Sequence, residues 1–253
     1  ISMEFIFRCT TLPGIIYLTL KETKQMPGKF CERKNMPAIT FTRQYRVMGL
    51  ISTWGTFILG VAYAITLSLG LAALKSPNDP ISDPFFSLME ILIILIMPFM
   101  VMDTLVIYAY ASPEKKAVSL AAIAWMVIAT AITTSLHFVI LTVSRPLAAS
   151  GLVNSAMFFS FNWPSVVYAL DILAWDIFFA LSMLFAAPVF KHGKLEKSIR
   201  VLMIISGGLS LAGLIGIPLA DMQIRLIGVV GYAAFPPVLF LLMAFVFQRS
   251  ETV

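Results

Sequence analysis

The sequence predicts an all-α integral membrane protein, a bundle of six transmembrane helices with both termini in the cytoplasm. Of the 253 residues, 59% are hydrophobic and only 12% are charged, whereas about a quarter of the residues in ordinary soluble domains are charged. Six separate apolar runs are long enough to cross a bilayer, which takes roughly 20 residues of helix. The lysines and arginines lie mostly in alternate connectors, which indicates a fixed orientation in the membrane.

The six runs are separated mostly by short connectors that are charged or contain proline and glycine. In a bilayer the backbone of each run must satisfy its own hydrogen bonds, and a helix does so within one segment. The runs do not alternate polar with apolar residues, which excludes the strands of a transmembrane barrel. The predicted spans are residues 47–74, 85–111, 117–144, 165–190, 201–220 and 226–247.

The distribution of basic residues gives the orientation. Fifteen of the 18 lysines and arginines lie before span 1, in the 2–3 and 4–5 connectors, or in the carboxyl-terminal tail. The opposite side has only Lys75, Arg145 and Arg225. Because basic residues near span ends are retained in the cytoplasm, both termini are expected there. The net charge of +5 therefore reflects topology, so we expect membrane lipids as partners and no nucleic acid.

The first 44 residues differ from the rest of the chain in their pattern of apolar and basic residues. Residues 1–44 are expected to form a poorly ordered cytoplasmic segment, and residues 45–253 the transmembrane domain. The early apolar runs are too short to span, and the basic residues follow them, whereas in a signal peptide they precede the apolar core. Since the chain opens on Ile1 and a methionine stands at Met36, we expect the native protein to begin near Met36.

Cysteine and histidine usage predicts no metal and no cofactor. Cys9 and Cys31 lie outside every predicted span, and neither belongs to a CxxC pattern or a Cys/His cluster. They therefore indicate neither a disulfide framework nor a zinc site. His137 is the one histidine within the predicted spans, which argues against a haem or a multi-histidine metal centre.

The connector between spans 3 and 4, residues 145–164, is too apolar for a free aqueous loop. We interpret it as a short helix in the outer interface, because aromatic side chains favour the headgroup level. The alternative is a lid over a cavity between the spans. Its large apolar side chains are Leu152, Val153, Met157, Phe158, Phe159, Phe161 and Trp163.

Small residues recur at intervals of four in two spans. Such stripes let helix backbones approach closely, which is a main source of helix association in lipid. We therefore expect both stripes to be buried against other helices, within one chain or across a homo-oligomer. They include Gly60, Ala64 and Ser68 in span 1, and Gly208, Ala212 and Gly216 in span 5.

Five acidic or histidine side chains fall inside the predicted spans: Glu90, Asp103, His137, Asp171 and Asp176. A charged group at the centre of a span costs roughly 2.5 to 3.5 kcal/mol on insertion scales and marks a candidate site. At 1.5 Å of rise per residue, Glu90, His137 and Asp171 lie roughly 10 to 12 Å from the midplane toward the outer face. By the same count Asp176 lies near the midplane and Asp103 on the cytoplasmic side.

This constellation suggests proton or cation chemistry. An imidazole between carboxylates could shuttle a proton, hold a cation or act as a general base. Trp175 lies on the same helix face as Asp171, and an indole beside a carboxylate suits an organic cation or a polar-headed lipid. Catalytic residues are not identified: HExxH, Walker A and dinucleotide-binding patterns are absent, and the sequence around Ser210 departs from GxSxG.

Three functions remain open from the sequence. The leading hypothesis is a small carrier or binding protein for a proton, a cation or an amphiphilic molecule, with its cavity between spans 2, 3 and 4. The second is an integral-membrane enzyme acting on a lipid, although the lack of a complete catalytic motif leans against an enzyme. The third is a scaffold or complex subunit without a site of its own. The compact loops favour a prokaryotic plasma membrane.

Overall fold

The computed structural model describes residues 41–76, 81–144, 146–147, 155–161 and 163–250. Within these ranges six helices are long and apolar enough to cross a membrane, which confirms the predicted six-helix bundle. Residues 1–40, including the expected start near Met36, lie outside the described residues. The helices are α1 (Arg43–Ala72), α2 (Phe85–Tyr110), α3 (Pro113–Ser144), the short α4 (Ser155–Phe159), α5 (Val166–Val189), α6 (Gly193–Gly216) and α7 (Met222–Arg249).

Four helices begin before their predicted spans, and in two of them, α6 and α7, an acidic side chain beside the first turn explains the early start. Helix α6 begins eight residues before predicted span 5, because Glu196 caps it: its Oε2 accepts hydrogen bonds from the backbone N–H groups of Lys191 and His192, both at 2.8 Å. Helix α7 begins four residues early, after Asp221, whose Oδ1 accepts from the backbone N–H of Gln223 at 2.8 Å. Arg225, counted above as a connector residue, therefore belongs to the first turn of α7.

The order of helix contacts follows the chain for most of the bundle. Helix α1 packs on α2, α2 on α3, α3 on α5, α5 on α6 and α6 on α7. The bundle is completed by α1 and the second half of α7, Phe235–Arg249, which follows a break in α7 at Ala234. Among the described residues, no comparable contact joins α1 to the first half, Met222–Ala233.

We call the end of the bundle that carries residues 191–200, predicted to be cytoplasmic, the inner end. Aromatic side chains close it: Tyr110 stacks on Phe190 at 6.0 Å between ring centroids and meets the edge of Phe247 at 6.0 Å. Phe190 and Phe247 are fully buried. The Tyr110 hydroxyl donates to Glu196 Oε1 at 2.6 Å. This end is therefore tightly packed.

The two predicted small-residue stripes mostly lie outside the helix contacts within the chain. Ala64, Ser68 and Gly208 are exposed, and Gly60 and Ala212 are only partly buried. A Cβ added to Gly208 would have no neighbour within 4 Å among the described residues. A contact of these faces with a second copy remains a prediction. Gly216 is buried, but its close neighbours are backbone atoms of the turn at Asp221 and Arg225.

The close contact between α6 and α7 uses a different face of α6. The Ser206 hydroxyl donates to the backbone carbonyl of Gly231 at 2.8 Å. A Cβ added to Gly213 would lie 2.7 Å from the Cα of Gly228. Helix α6 carries small residues on two faces, and spacing alone does not choose between them. The face with Ser206 packs against α7, where Gly228 and Gly231 let the two backbones approach closely.

The predicted orientation can be tested by cysteine accessibility. After Cys9 and Cys31 are replaced by serine, Ser82→Cys, before α2, should react with a membrane-impermeant maleimide added to intact cells. Ser198→Cys, at the inner end, should react only after the membrane is permeabilised. Both residues are exposed, so access to the reagent depends on the side of the membrane. Labelling of Ser198→Cys in intact cells would contradict the predicted orientation and indicate the opposite one.

Candidate functional site

A cavity of about 790 Å³ lies in the half of the bundle opposite the inner end. The lining farthest from the inner end includes Ser82 and Asp83, before α2, and Phe159, Ser160 and Phe161, where α4 ends. The apolar connector between α3 and α5 thus supplies part of the wall. Helices α1, α2, α3, α5 and α7 provide the rest, mainly with apolar and aromatic side chains. Residues at its inner limit are Thr56, Ile96, Met100 and Phe240.

Glu90, His137 and Asp171 come together on one wall of this cavity. His137 Nδ1 lies 2.7 Å from Glu90 Oε2, and His137 Nε2 lies 3.9 Å from Asp171 Oδ1. Each of the three residues is at most 9% exposed. The imidazole therefore lies between two carboxylates, and the Glu90 contact is short enough for a hydrogen bond.

Arg225 extends this group from α7. Its Nη2 lies 3.6 Å from Asp171 Oδ2, and its Nε lies 3.5 Å from Asp176 Oδ2. Its Nη1 donates to the Tyr168 hydroxyl at 2.8 Å, and its Nη2 donates to the Tyr232 hydroxyl at 3.2 Å. The guanidinium also lies 4.5 Å from the centre of the Tyr168 ring, a cation–π distance. The fork geometry of arginine lets it bridge several partners at once.

Asp176 lies behind Arg225 and does not line the cavity. It is fully buried, within a π-helical stretch of α5, Leu173–Phe179. The space that its carboxylate occupies depends on Gly228, because a Cβ added there would lie 2.2 Å from Asp176 Oδ1. Single π-turns inside α-helices often mark functional sites. Because its Oδ2 lies 3.5 Å from Arg225 Nε, Asp176 acts in this structure as the buried counter-ion of Arg225.

Aromatic side chains cover the wall beside the charged group. Trp175 and Tyr232 both line the cavity, and their ring centroids are 5.2 Å apart. Tyr63 of α1 also lines it. Electron-rich ring faces attract organic cations. The wall therefore offers aromatic surface and acidic oxygens to the same occupant.

The structure thus brings Glu90, His137, Asp171 and Trp175 of the sequence-predicted set to one cavity, with Asp176 behind them. Asp103 is separate: it forms no ion pair within the described part of the chain and bonds to Thr56 of α1, with Thr56 Oγ1 donating to Asp103 Oδ2 at 2.8 Å. Among the described residues, no group of three or more His, Cys, Asp or Glu side chains is placed to hold a metal ion.

Arg225 is the main site residue that the sequence reasoning missed. It was counted as one of three basic residues on the outer side, yet it is only 4% exposed. Two sequence signals point to it. Aspartate is a preferred helix N-cap, so Asp221 indicates a helix that already includes Arg225. A basic residue on the side that few basic residues occupy also calls for a specific partner.

The charges of this site do not balance without an occupant or a proton. Glu90, Asp171 and Asp176 supply three carboxylates. Arg225 stays protonated and offsets one of them, and a protonated His137 offsets a second. At least one carboxylate then remains without a positive partner among these five residues. A cation or an additional proton can neutralise it, which is the chemistry that this arrangement permits.

The chain matches no family model, no curated protein and no solved structure among those compared.

Proposed function

We propose that the protein is a membrane carrier or binding protein for an amphiphilic organic cation, which exchanges with a proton at the group formed by Glu90, His137 and Asp171. The observation that carries the proposal is the convergence of this acidic group on one wall of a largely apolar cavity of about 790 Å³. A volume of this size is in the ordinary range for small-molecule sites, which have mostly apolar walls and few polar groups.

The two kinds of wall suit the two parts of an amphiphilic cation. The excess of carboxylates attracts the positive centre, and Trp175, Tyr63 and Tyr232 offer ring faces to it. The remaining apolar walls contact the hydrophobic part. A scaffold without a site needs no such convergence, so the arrangement favours a binding role over the scaffold hypothesis.

The closed inner end suggests a carrier in one of its states. Tyr110, Phe190 and Phe247 close the bundle there, whereas Ser82 and Asp83, which line the opposite end of the cavity, are exposed. Alternating access in carriers exposes one site to one side of the membrane at a time. The proposal accordingly takes this arrangement as the state that faces the predicted outer side.

The binding proposal can be tested with tetraphenylphosphonium, an aromatic monovalent cation. Titration calorimetry of the detergent-solubilised protein should show binding above the signal of empty micelles. Glu90→Gln or Asp171→Asn should weaken it by about tenfold or more, since loss of one attraction of about 1.4 kcal/mol has that effect. Glu114→Gln is the matched control, because Glu114 is exposed and lies outside the cavity.

Two further outcomes bear on the same proposal. Lower pH should weaken tetraphenylphosphonium binding, because the proposal has protons and the cation compete for the same acidic group. Tetraphenylborate, which has nearly the same shape and the opposite charge, should not compete. Equal binding of the two ions, or full affinity in both Glu90→Gln and Asp171→Asn, would contradict a cation site.

One observation favours the second candidate, an enzyme acting on a lipid. Ala64 of α1 and Ala233 of α7 line the cavity and are exposed, and among the described residues α1 packs on the second half of α7 and not comparably on the first. A lipid could therefore reach His137 and its carboxylates sideways. Mass spectrometry of lipids incubated with the protein tests this: chemical change that is lost in His137→Gln would favour the enzyme, and unchanged lipid favours the carrier.

A further inference from the structure

Asp103 is a buried carboxylate that the proposed cation site does not use. It lies on α2 and is fully buried. Its Oδ2 accepts a hydrogen bond from Thr56 Oγ1 at 2.8 Å, while its Oδ1 meets no donor in hydrogen-bond geometry among the described residues. An unpaired polar atom in the interior of a membrane protein is costly and marks a functional candidate.

The described residues around Asp103 supply hydroxyl groups and no cation. From α1, Thr56 donates to Asp103, and the hydroxyl of Ser52, one turn earlier, also lies near the carboxylate, with the backbone carbonyl of Gly49 at 3.3 Å as its alternative acceptor. No lysine, arginine or histidine in the described part of the chain forms an ion pair with Asp103. An ionised carboxylate buried in this way would lack any compensating charge.

Thr56 connects Asp103 to the cavity. It is 4% exposed and forms part of the inner limit of the cavity, while its hydroxyl bonds to the carboxylate behind it. A hydroxyl group both donates and accepts hydrogen bonds, so it can pass a proton between a water in the cavity and a carboxylate. A single side chain, that of Thr56, thus links Asp103 to the cavity.

We infer that Asp103 is a proton-binding residue that exchanges its proton with the cavity through Thr56. The protonated carboxyl is neutral, which removes the need for a counter-ion. Its proton lies toward the inner end, away from the group of Glu90, His137 and Asp171. The site is thus a second proton position, which a carrier could use to couple proton movement to its ligand, but its existence does not depend on the proposed cation.

Infrared difference spectroscopy of the protein in lipid vesicles tests this inference without any ligand. The wild-type protein at neutral pH should show the carbonyl-stretching band of a protonated carboxylic acid, and Asp103→Asn should lose a component of it. Asp103→Asn preserves the shape of the side chain, and tryptophan fluorescence checks that the variant is folded. An unchanged band in a folded Asp103→Asn variant would overturn the inference.

Exchange into D₂O tests the role of Thr56. The part of the carbonyl-stretching band that belongs to Asp103 should shift as its proton exchanges for deuterium. This shift should be slower in Thr56→Val, which has the shape of threonine but no hydroxyl, and should keep the wild-type rate in Thr56→Ser. Equal rates in wild type and Thr56→Val would overturn the path. Loss of the band on addition of sodium chloride but not choline chloride would overturn the proton assignment in favour of a sodium ion. Neither experiment uses tetraphenylphosphonium, so failure of the inference about Asp103 can be distinguished from failure of the cation proposal.

Discussion

Arg225→Gln is expected to destabilise the folded protein by about 3–5 kcal/mol, because removing one partner of a buried ion pair leaves an uncompensated charge. Arg225 is 4% exposed and lies 3.6 Å from Asp171 and 3.5 Å from Asp176. Glutamine retains some of the hydrogen bonds to Tyr168 and Tyr232 but none of the charge. The measurement is thermal unfolding in detergent, followed by tryptophan fluorescence.

A double variant separates charge from packing. Asp176→Asn in the background of Arg225→Gln removes the fully buried carboxylate together with its cation, so it should recover a large part of the lost stability. Residues in one ion-pair network show such non-additive effects. Lys191→Gln is the control: its amino group lies 3.1 Å from Glu114, but both side chains are solvent-accessible, and exposed pairs contribute little.

Two outcomes would contradict this account of Arg225. If Arg225→Gln unfolds at the wild-type temperature, the guanidinium does not stabilise the buried carboxylates. If the double variant is no more stable than Arg225→Gln alone, the loss arises from packing rather than from the charge of Asp176. In either case Asp176 would need another explanation for its burial within the π-helical stretch of α5.

The grouping of Glu90, His137 and Asp171 could be predicted from the sequence because it depends on helix rise alone. Each span must cross the same thickness of hydrocarbon, and the rise per residue is constant, so position along a span gives depth. Equal depth does not give the direction of a side chain. The grouping therefore remained a hypothesis until the helices were placed around a common cavity.

The position of Arg225 could not be predicted from hydropathy, because hydropathy locates the apolar part of a helix and not its first turn. Asp221 sets that first turn through its hydrogen bond to Gln223, and Arg225 then faces Asp176 across the space left by Gly228. The sequence hypothesis placed a cavity between spans 2, 3 and 4, but α1 and α7 also line it. Their part in it depends on how α1 and the first half of α7 are spaced, which helical periodicity does not determine.

The contact face of α6 could not be chosen for a similar reason. Periodicity showed that Gly208, Ala212 and Gly216 share a face, but Ser206, Ser210 and Gly213 form a second one. What decides between them is the partner helix. Gly228 and Gly231 of α7 lie against the second face, close to the backbones of Gly213 and Ser210. The sequence alone does not show which side of α7 faces α6, so these two glycines could not identify the contact.

Gly213→Ala is expected to lower the stability of the protein by about 1–3 kcal/mol, the usual range for overpacking a close contact. The added Cβ would lie 2.7 Å from both the Cα and the N of Gly228 and 3.1 Å from the carbonyl oxygen of Arg225. These are backbone atoms, so no side-chain rotation relieves the clash. Helices α6 and α7 must separate, which also moves Arg225 away from Asp176.

Gly208→Ala is the matched control on the same helix. In the described part of the chain a Cβ at Gly208 has no neighbour within 4 Å, and alanine is favoured over glycine in a helix interior by about 0.5–1 kcal/mol. Its melting temperature should therefore equal or exceed that of the wild type, while Gly213→Ala melts lower. Equal melting temperatures for the two variants would contradict the close α6–α7 contact. A larger loss in Gly208→Ala would instead indicate that the exposed face of α6 packs against a second copy of the chain.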